Sequence, residues 1–131
     1  MKTLIVEDDF ISRLLLQELL KSYGPFHIAV NGREAVEAVR AALEAGEPYD
    51  LICMDIMMPE MDGQQALKEI RAMEKARGLV PSNWTKIVMT TALGDKTNVL
   101  EAVQGKCNAF LVKPIQKSKL LEELRRLQLI W

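Results

Sequence analysis

The sequence predicts an α/β domain in which helices cover both faces of a five-stranded parallel sheet. Three observations support this prediction. The chain has 131 residues, which suits one domain with a real core. Strand-like and helix-like stretches alternate along it with no internal repeat or low-complexity linker. The strand-like stretches are almost continuously apolar, as expected when both faces of a sheet are covered.

Composition excludes several classes of protein. Apolar residues make up 49% and charged residues 27% of the chain, which is typical of a folded protein and not of a disordered one. The net charge is −1 and there is no basic run, so we expect no direct nucleic-acid binding. Two cysteines and one histidine form neither a zinc-ligand set nor a disulfide framework.

The chain also lacks the signals of membrane insertion or export. No apolar stretch is long enough to cross a bilayer. The segment KTLIVEDD, directly after Met1, carries acidic residues where a signal peptide would stay apolar. We therefore expect a cytoplasmic protein with no membrane partner.

The first strand is predicted at residues 3–6 (TLIV) and the second at residues 26–30 (FHIAV). Between them a helix is predicted from Phe10 to Tyr23, where Gly24 and Pro25 stop it. Its apolar residues recur at helical spacing and are Ile11, Leu14, Leu15, Leu19 and Leu20.

The second helix is predicted to start at Asn31, because Glu34 follows three residues later as in a capping box. Its apolar stripe is Ala35, Val36, Val39 and Leu43. The third strand is predicted at residues 49–55 (YDLICMD), and Asp62-Gly63 begins the third helix. That helix carries Ala66, Leu67, Ile70 and Met73.

The fourth strand is predicted at residues 86–91 (KIVMTT) and the fifth at residues 108–112 (NAFLV). Asp95 is the predicted cap of the helix between them, which carries Val99, Leu100 and Val103 and ends at Gly105. The last helix follows Lys113-Pro114 and carries Leu120, Leu121, Leu124 and Leu127.

Polar residues follow the predicted strands where each strand ends. They are Glu7, Asp8 and Asp9 after the first strand, Asp55 in the third, Thr90 and Thr91 in the fourth, and Lys113 after the fifth. In an open parallel sheet, ligands bind at the carboxyl edge, where these residues would gather. Asp9 is interpreted as the N-cap of the first helix, and Asp55 as a member of an open cluster and not as a buried charge.

Such a cluster favours phosphoryl-transfer chemistry. Crowded carboxylates repel each other unless a cation intervenes, and Mg²⁺ suits a site with a few carboxylates and several waters. A carboxylate nucleophile beside Mg²⁺, a lysine and a threonine hydroxyl is suited to forming an aspartyl phosphate. No GxxxxGK[ST] loop is present, so the phosphoryl group is expected to come from another molecule.

Together the motifs resemble the receiver domains of two-component response regulators, the CheY-like proteins. The matching residues are Glu7-Asp8, DIMMPEMDG at 55–63, Thr91-Ala92, and Lys113-Pro114 preceded by AFLV. The resemblance extends from about Lys2 to Leu127. It implies a flavodoxin-like (βα)5 fold with strand order 2-1-3-4-5, and a single receiver domain over residues 1–131 with no output domain. It also implies a regulatory switch and not an enzyme.

The resemblance also implies a role for each site residue. Asp55 would accept phosphate from a phosphohistidine of a sensor histidine kinase or a histidine phosphotransfer protein. Asp8, Asp55 and the backbone carbonyl of Met57 would bind Mg²⁺, for which Mn²⁺ is expected to substitute. Glu7 would act on the ion through water, and Lys113 would pair with the phosphoryl oxygens.

The same resemblance implies how the signal leaves the site. Thr91 would move toward the phosphoryl group and Phe110 would swing inward, and the bond before Pro114 would be cis. The face formed by the fourth helix, the fifth strand and the fifth helix would then change its affinity for a downstream protein. The domain would be a monomer or a phosphorylation-dependent dimer.

Two positions depart from the commoner family pattern, and two others bear on the lifetime of the phosphate. Glu7 stands where Asp is commoner, and Phe110 stands where Tyr is frequent, so its ring has no hydroxyl to hydrogen-bond. By resemblance, Met57 and Leu93 lie beside the water that hydrolyses the phosphate. Neither side chain can hold that water by a hydrogen bond.

Two other functions use a similar chemistry or architecture. A phosphohydrolase of the haloacid-dehalogenase type has a second Asp two residues after its nucleophile, where this chain has Met57. A flavodoxin-like flavin binder has a Ser/Thr/Gly-rich loop after the first strand, where this chain has Glu7, Asp8 and Asp9. A long connection, residues 77–86, contains Trp84, which is interpreted as an anchor over a neighbouring helix end.

Overall fold

The computed structural model describes residues 1–92 and 96–131 and has the predicted fold: a five-stranded parallel sheet in the order β2-β1-β3-β4-β5. The strands are β1 (Thr3–Val6), β2 (Phe26–Ala29), β3 (Leu51–Asp55), β4 (Lys86–Thr91) and β5 (Ala109–Val112). The α-helices are α1 (Phe10–Leu20), α2 (Gly32–Glu44), α3 (Gly63–Ala76), α4 (Lys96–Gln104) and α5 (Lys117–Arg126). None of the described helices is both long and apolar enough to cross a membrane.

Two apolar layers hold the helices against the sheet. On one face, α2, α3 and α4 bury side chains that include Val36, Leu67, Ile70 and Ala102. On the other face, α1 and α5 bury Leu16, Leu20, Leu120 and Leu124. Alternate residues of β1, β3 and β4 point into opposite layers, which explains why β1 and β3 are apolar at nearly every position.

Three predicted helix caps are confirmed. The side chains of Asp9, Asn31 and Asp62 accept hydrogen bonds from the backbone N–H groups three residues later, each at 2.9 Å. The Glu34 carboxylate accepts from the backbone N–H of Val30 at 2.9 Å, one residue before the Asn31 cap. The predicted cap at Asp95 lies outside the described residues.

The prediction for α1 was wrong about its buried face and its end. The α-helix ends at Leu20 and continues as a 3₁₀ turn over Lys21–Tyr23. Its buried side chains are Leu16 and Leu20, whereas Ile11 is 69% exposed. Apolar residues surround this helix on several sides, so spacing alone did not identify the face that meets the sheet.

Smaller corrections concern α4 and the ends of strands. Among the described side chains of α4, Ala102 is buried, while Leu100 and Val103 are exposed. The strands β2, β3 and β5 are each one or two residues shorter than predicted. Just before β3, the Asp50 carboxylate accepts from the backbone N–H of Lys2 at 2.7 Å.

A buried ion pair fixes the long connection between α3 and β4. The Arg71 guanidinium donates to Glu74 Oε1 at 2.7 Å, to the Thr85 carbonyl at 2.8 Å and to Asn108 Oδ1 at 2.9 Å. Glu74 Oε2 accepts from the Thr85 backbone N–H at 2.7 Å. Both charged side chains are almost fully buried, so the pair links α3 to the starts of β4 and β5.

The interpretation of Trp84 as an anchor is confirmed. Its indole N–H donates to the Leu79 carbonyl at 3.1 Å, and the Arg71 guanidinium carbon lies 5.2 Å from the ring centroid. The tryptophan thereby closes the connection over the end of α3.

We predict that Glu74→Ala costs about 3–5 kcal/mol of unfolding free energy, because it leaves the Arg71 charge buried without its partner. The matched control is Glu18→Ala, which removes an ion pair whose two side chains are about 60% exposed. That change should cost less than about 0.5 kcal/mol. Chemical denaturation measures both values, and similar losses for the two variants would contradict the assigned role of the buried pair.

Candidate functional site

An acidic cluster lies at the carboxyl edge of the sheet, where β1 and β3 run side by side. Glu7 and Asp8 follow β1, and Asp55 is the last residue of β3. Each of these three residues offers one carboxylate oxygen, and the three oxygens lie within 4.8 Å of one another. Glu7 is fully buried and Asp8 is exposed, so the cluster opens to solvent on the side of Asp8.

Lys113 joins the two buried carboxylates. Its ammonium donates to Glu7 Oε1 at 2.5 Å and to Asp55 Oδ2 at 3.0 Å. Burial alone would lower the pKa of Lys113, but the hydrogen bonds and charges of Glu7 and Asp55 raise it. Lys113 therefore stays protonated, and its side chain reaches from the end of β5 past β4 to Glu7 and Asp55.

The expectation that Asp55 is not buried was wrong. Its exposure is only 8%, although it belongs to the predicted cluster. The contact with Lys113 explains how a carboxylate is tolerated there, because an opposite charge offsets part of the cost of desolvation.

The pKa of the Glu7 carboxyl group is raised strongly. Burial raises its pKa from 4.5 to about 7, against the hydrogen bond from Lys113 and with the help of the neighbouring Asp55. Its second oxygen accepts from the Asp9 backbone N–H at 3.2 Å. Glu7 therefore keeps its proton to a higher pH than an exposed glutamate does.

The loop between β3 and α3 places Met57 beside Asp55. The Met57 backbone N–H donates to Asp55 Oδ1 at 3.2 Å, and the Met57 side chain is 62% exposed. The base of the loop is closed by a 2.8 Å hydrogen bond from the Gly63 N–H to the Ile56 carbonyl. A Cβ at Gly63 would lie 2.2 Å from the backbone oxygen of Asp55, so no larger residue fits there.

The other predicted residues lie around this centre at different depths. Thr91 is buried at the end of β4, and its hydroxyl makes a long 3.5 Å contact with the Ala92 carbonyl. Phe110 is 42% exposed on the outer side of β5. The Lys113–Pro114 peptide bond is cis. Leu93 lies outside the described residues.

Sequence reasoning missed two features next to the cluster. The Arg13 guanidinium donates to the Glu7 carbonyl at 3.0 Å and thereby ties α1 to the acidic loop. The side chains of Phe10, Ile11 and Leu14 are exposed on α1, the helix that begins at the acidic loop. The contact of Arg13 could have been predicted from its position one turn after the Asp9 cap, which brings its side chain near the acidic loop.

The donor set is suited to a hard divalent cation. Carboxylate oxygens are the ligands that Mg²⁺ prefers, and the exposed Asp8 leaves room for the waters that this ion retains. The cluster contains more carboxylates than cationic partners, since Lys113 faces two of them and Asp8 is a third. The residues present therefore fit a magnesium site.

Comparisons with known proteins agree with this geometry. The family model of the response regulator receiver domain matches residues 3–125. The chemotaxis protein CheY of Bacillus subtilis (strain 168) is 33% identical over 125 residues, covering 95% of this chain and 95% of that protein.

Two solved structures have the same fold. The receiver domain of the histidine kinase CKI1 from Arabidopsis thaliana, complexed with Mg²⁺ and BeF₃⁻, is 33% identical with a TM-score of 0.78, covering 97% of this chain and 89% of that one. A chain of the Saccharomyces cerevisiae co-crystal structure of the phosphotransfer protein Ypd1 with the receiver domain of Ssk1 has a TM-score of 0.82 at 28% identity. It covers 99% of this chain and 92% of that one.

The raised pKa of Glu7 predicts a pH dependence of stability in metal-free buffer. A raised carboxyl pKa means that the folded state binds the proton more tightly than the unfolded state. The stabilisation is complete below about pH 4.5 and is lost as the pH rises to about 7. Relative to Glu7→Gln, the wild type should therefore lose about 1 kcal/mol or more of unfolding free energy across this window. Denaturation at several pH values tests this, and a constant difference between the two proteins would refute it.

Proposed function

Because this chain belongs to the response regulator receiver domain family, we propose that Asp55 is its phosphoacceptor and that residues 1–131 act as one receiver unit. The phosphoryl donor is a phosphohistidine of a sensor histidine kinase or a histidine phosphotransfer protein. The observation that supports this function best is the bridge from Lys113 to Glu7 and Asp55, with Asp8 at the open side of the same cluster.

In the proposed reaction, an Asp55 oxygen forms a bond to phosphorus as the phosphorus–nitrogen bond of the phosphohistidine breaks. The electron pair of that bond returns to the imidazole nitrogen, which leaves with the donor. Catalysis of this kind requires mainly alignment and neutralisation of charge. The Met57 N–H holds Asp55 Oδ1 and the Lys113 ammonium holds Asp55 Oδ2, so both oxygens are oriented before the reaction.

The metal-binding residues in this proposal are Asp8, Asp55 and the backbone carbonyl of Met57, with Glu7 acting through water. Mg²⁺ bound there supplies positive charge against the phosphoryl oxygens, and Mn²⁺ has suitable ligand preferences to replace it. Lys113 supplies a second positive charge. For this it exchanges its contact with the Asp55 carboxylate for one with a phosphoryl oxygen.

The exposed apolar residues of α1 are the proposed docking surface for the phosphodonor. Phe10, Ile11 and Leu14 are exposed on the helix that directly follows the acidic loop. Exposed apolar side chains gathered on one helix commonly mark a protein contact. In Saccharomyces cerevisiae, the receiver domain of Ssk1 was co-crystallised with the histidine phosphotransfer protein Ypd1.

The proposed output surface is the face of α4, β5 and α5. Leu100, Val103, Phe110 and Val112 are exposed there, which leaves apolar area for a downstream protein. Thr91 and Phe110 are the proposed switch residues. Movement of the Thr91 hydroxyl toward the phosphoryl group would free space into which the Phe110 ring turns from its exposed position.

We predict that acetyl phosphate and Mg²⁺ add one phosphoryl group to the wild type and none to Asp55→Asn, because the amide is not a nucleophile. Mass spectrometry of the intact protein measures this. Asp50→Asn is the matched control, since Asp50 is an exposed carboxylate at the opposite end of β3, and it should be phosphorylated like the wild type. Full phosphorylation of Asp55→Asn would disprove the assignment, and rapid turnover of small phosphate esters would indicate a phosphohydrolase.

We also predict that the phosphorylated protein loses phosphate slowly, over many minutes or longer. The attacking water must be aligned with the phosphorus, and the exposed Met57 side chain next to Asp55 cannot hold it by a hydrogen bond. The test compares phosphate release from the wild type with release from the double variant Met57→Asn, Leu93→Glu. Equal or faster decay of the wild type would show that these two positions do not set the lifetime.

A further inference from the structure

The loop between β3 and α3 carries Met57 and is held at its far end by α2. The backbone N–H of Gly32, the first residue of α2, donates to the Met61 carbonyl at 2.8 Å. Among residues 1–92 and 96–131, this is the one backbone hydrogen bond that connects residues 57–61 to another element. This contact therefore helps to fix the position of residues 57–61 relative to α2.

Gly32 has no room for a side chain. A Cβ there would lie 2.5 Å from the Met61 carbonyl oxygen, 2.9 Å from the Asp62 carbonyl oxygen and 2.9 Å from Met61 Cγ. Two of these three atoms belong to the backbone and cannot rotate away. The φ angle of Gly32 lies outside the left-handed region, so the missing Cβ, and not backbone freedom, is what the structure requires at this position.

Neighbouring contacts hold the same part of the loop. The Met61 side chain is buried in the apolar layer that α2 helps to form. Glu60 has a φ of 63° and lies with its carboxylate 3.5 Å from the Asn31 side-chain nitrogen. The loop is thus pressed closely onto the first turn of α2, and any outward shift of one element displaces the other.

We propose that Gly32 is a positioning residue of the metal site: by its close backbone contact with Met61 it fixes the loop that presents the Met57 carbonyl to the cation. This inference rests on the proposed function, in which Asp8, Asp55 and the Met57 carbonyl bind Mg²⁺. The ion requires nearly ideal octahedral geometry, so a carbonyl ligand on a displaced loop binds it poorly.

The first experiment measures the dissociation constant of Mg²⁺ by titration calorimetry for Gly32→Ala. Partners that orient metal ligands contribute about 10-fold to 100-fold to affinity, so we expect at least about tenfold weaker binding. Gly105→Ala is the matched control. A Cβ at position 105 would also be crowded, at 2.8 Å from Leu67 Cδ2. Gly105, however, lies after α4 and away from the loop. It should bind Mg²⁺ like the wild type.

A second measurement uses the wild type alone and does not depend on the folding of a variant. If the contact at Gly32 favours the metal, the metal must favour the contact to the same degree. Saturation with Mg²⁺ should therefore slow hydrogen exchange of the Gly32 amide. The amide of Ala45, at the other end of α2, is the internal reference and should be unaffected.

The outcomes separate the two proposals. A wild type that binds no Mg²⁺, or binds it as well after Asp8→Ala, would overturn the proposed metal site itself. A wild type that binds Mg²⁺ through Asp8, together with unchanged affinity in Gly32→Ala or unchanged exchange of the Gly32 amide, would overturn only the role of Gly32.

Discussion

The site depends on one constraint: two carboxylates are buried side by side at the ends of adjacent strands. Glu7 and Asp55 would repel each other and lose hydration without a positive partner. Lys113 provides that partner, and it can do so only because β5 ends at the same edge of the sheet as β1 and β3. The strand order thus determines which charges meet. One ammonium does not balance three carboxylates, so the residues present suit a further cation.

Close backbone packing gives this charged centre its shape. Gly63 approaches the Asp55 backbone more closely than any side chain would allow, and Gly32 approaches Met61 in the same way. The N-caps Asn31 and Asp62 fix the first turns of the two helices that these glycines begin. The loop between β3 and α3 therefore lies between two helix starts, each determined by a cap followed by a glycine. This arrangement gives a loop without regular structure a defined position.

The sequence predicted those parts of the molecule that depend on local patterns. Short-range rules predict the order of strands and helices along the chain and the helix starts at Asp9, Asn31 and Asp62. They also predict that the acidic residues gather at one edge of the sheet. The buried face of α1 did not follow, because apolar residues around Ile11 also cover an exposed surface. The burial of Asp55 and of the Arg71–Glu74 pair was missed because it depends on distant parts of the chain: Asp55 contacts Lys113, and Arg71 donates to Thr85 and Asn108. Spacing carries no information about such contacts.

The bridge from Lys113 limits how the proposed switch can work. In the structure the ammonium contacts Glu7 and Asp55, so a contact with a phosphoryl oxygen would change this bridge. The proposed phosphorylation would also remove the Asp55 carboxylate charge and add a phosphoryl group that is almost doubly negative. Lys113 would then be drawn toward the phosphoryl oxygens, and the fully buried Glu7 would lose part of its partner. Because burial raises its pKa, Glu7 would take up a proton more readily than an exposed glutamate once Lys113 moved away. A neighbour that stayed charged would make the same movement of Lys113 more costly.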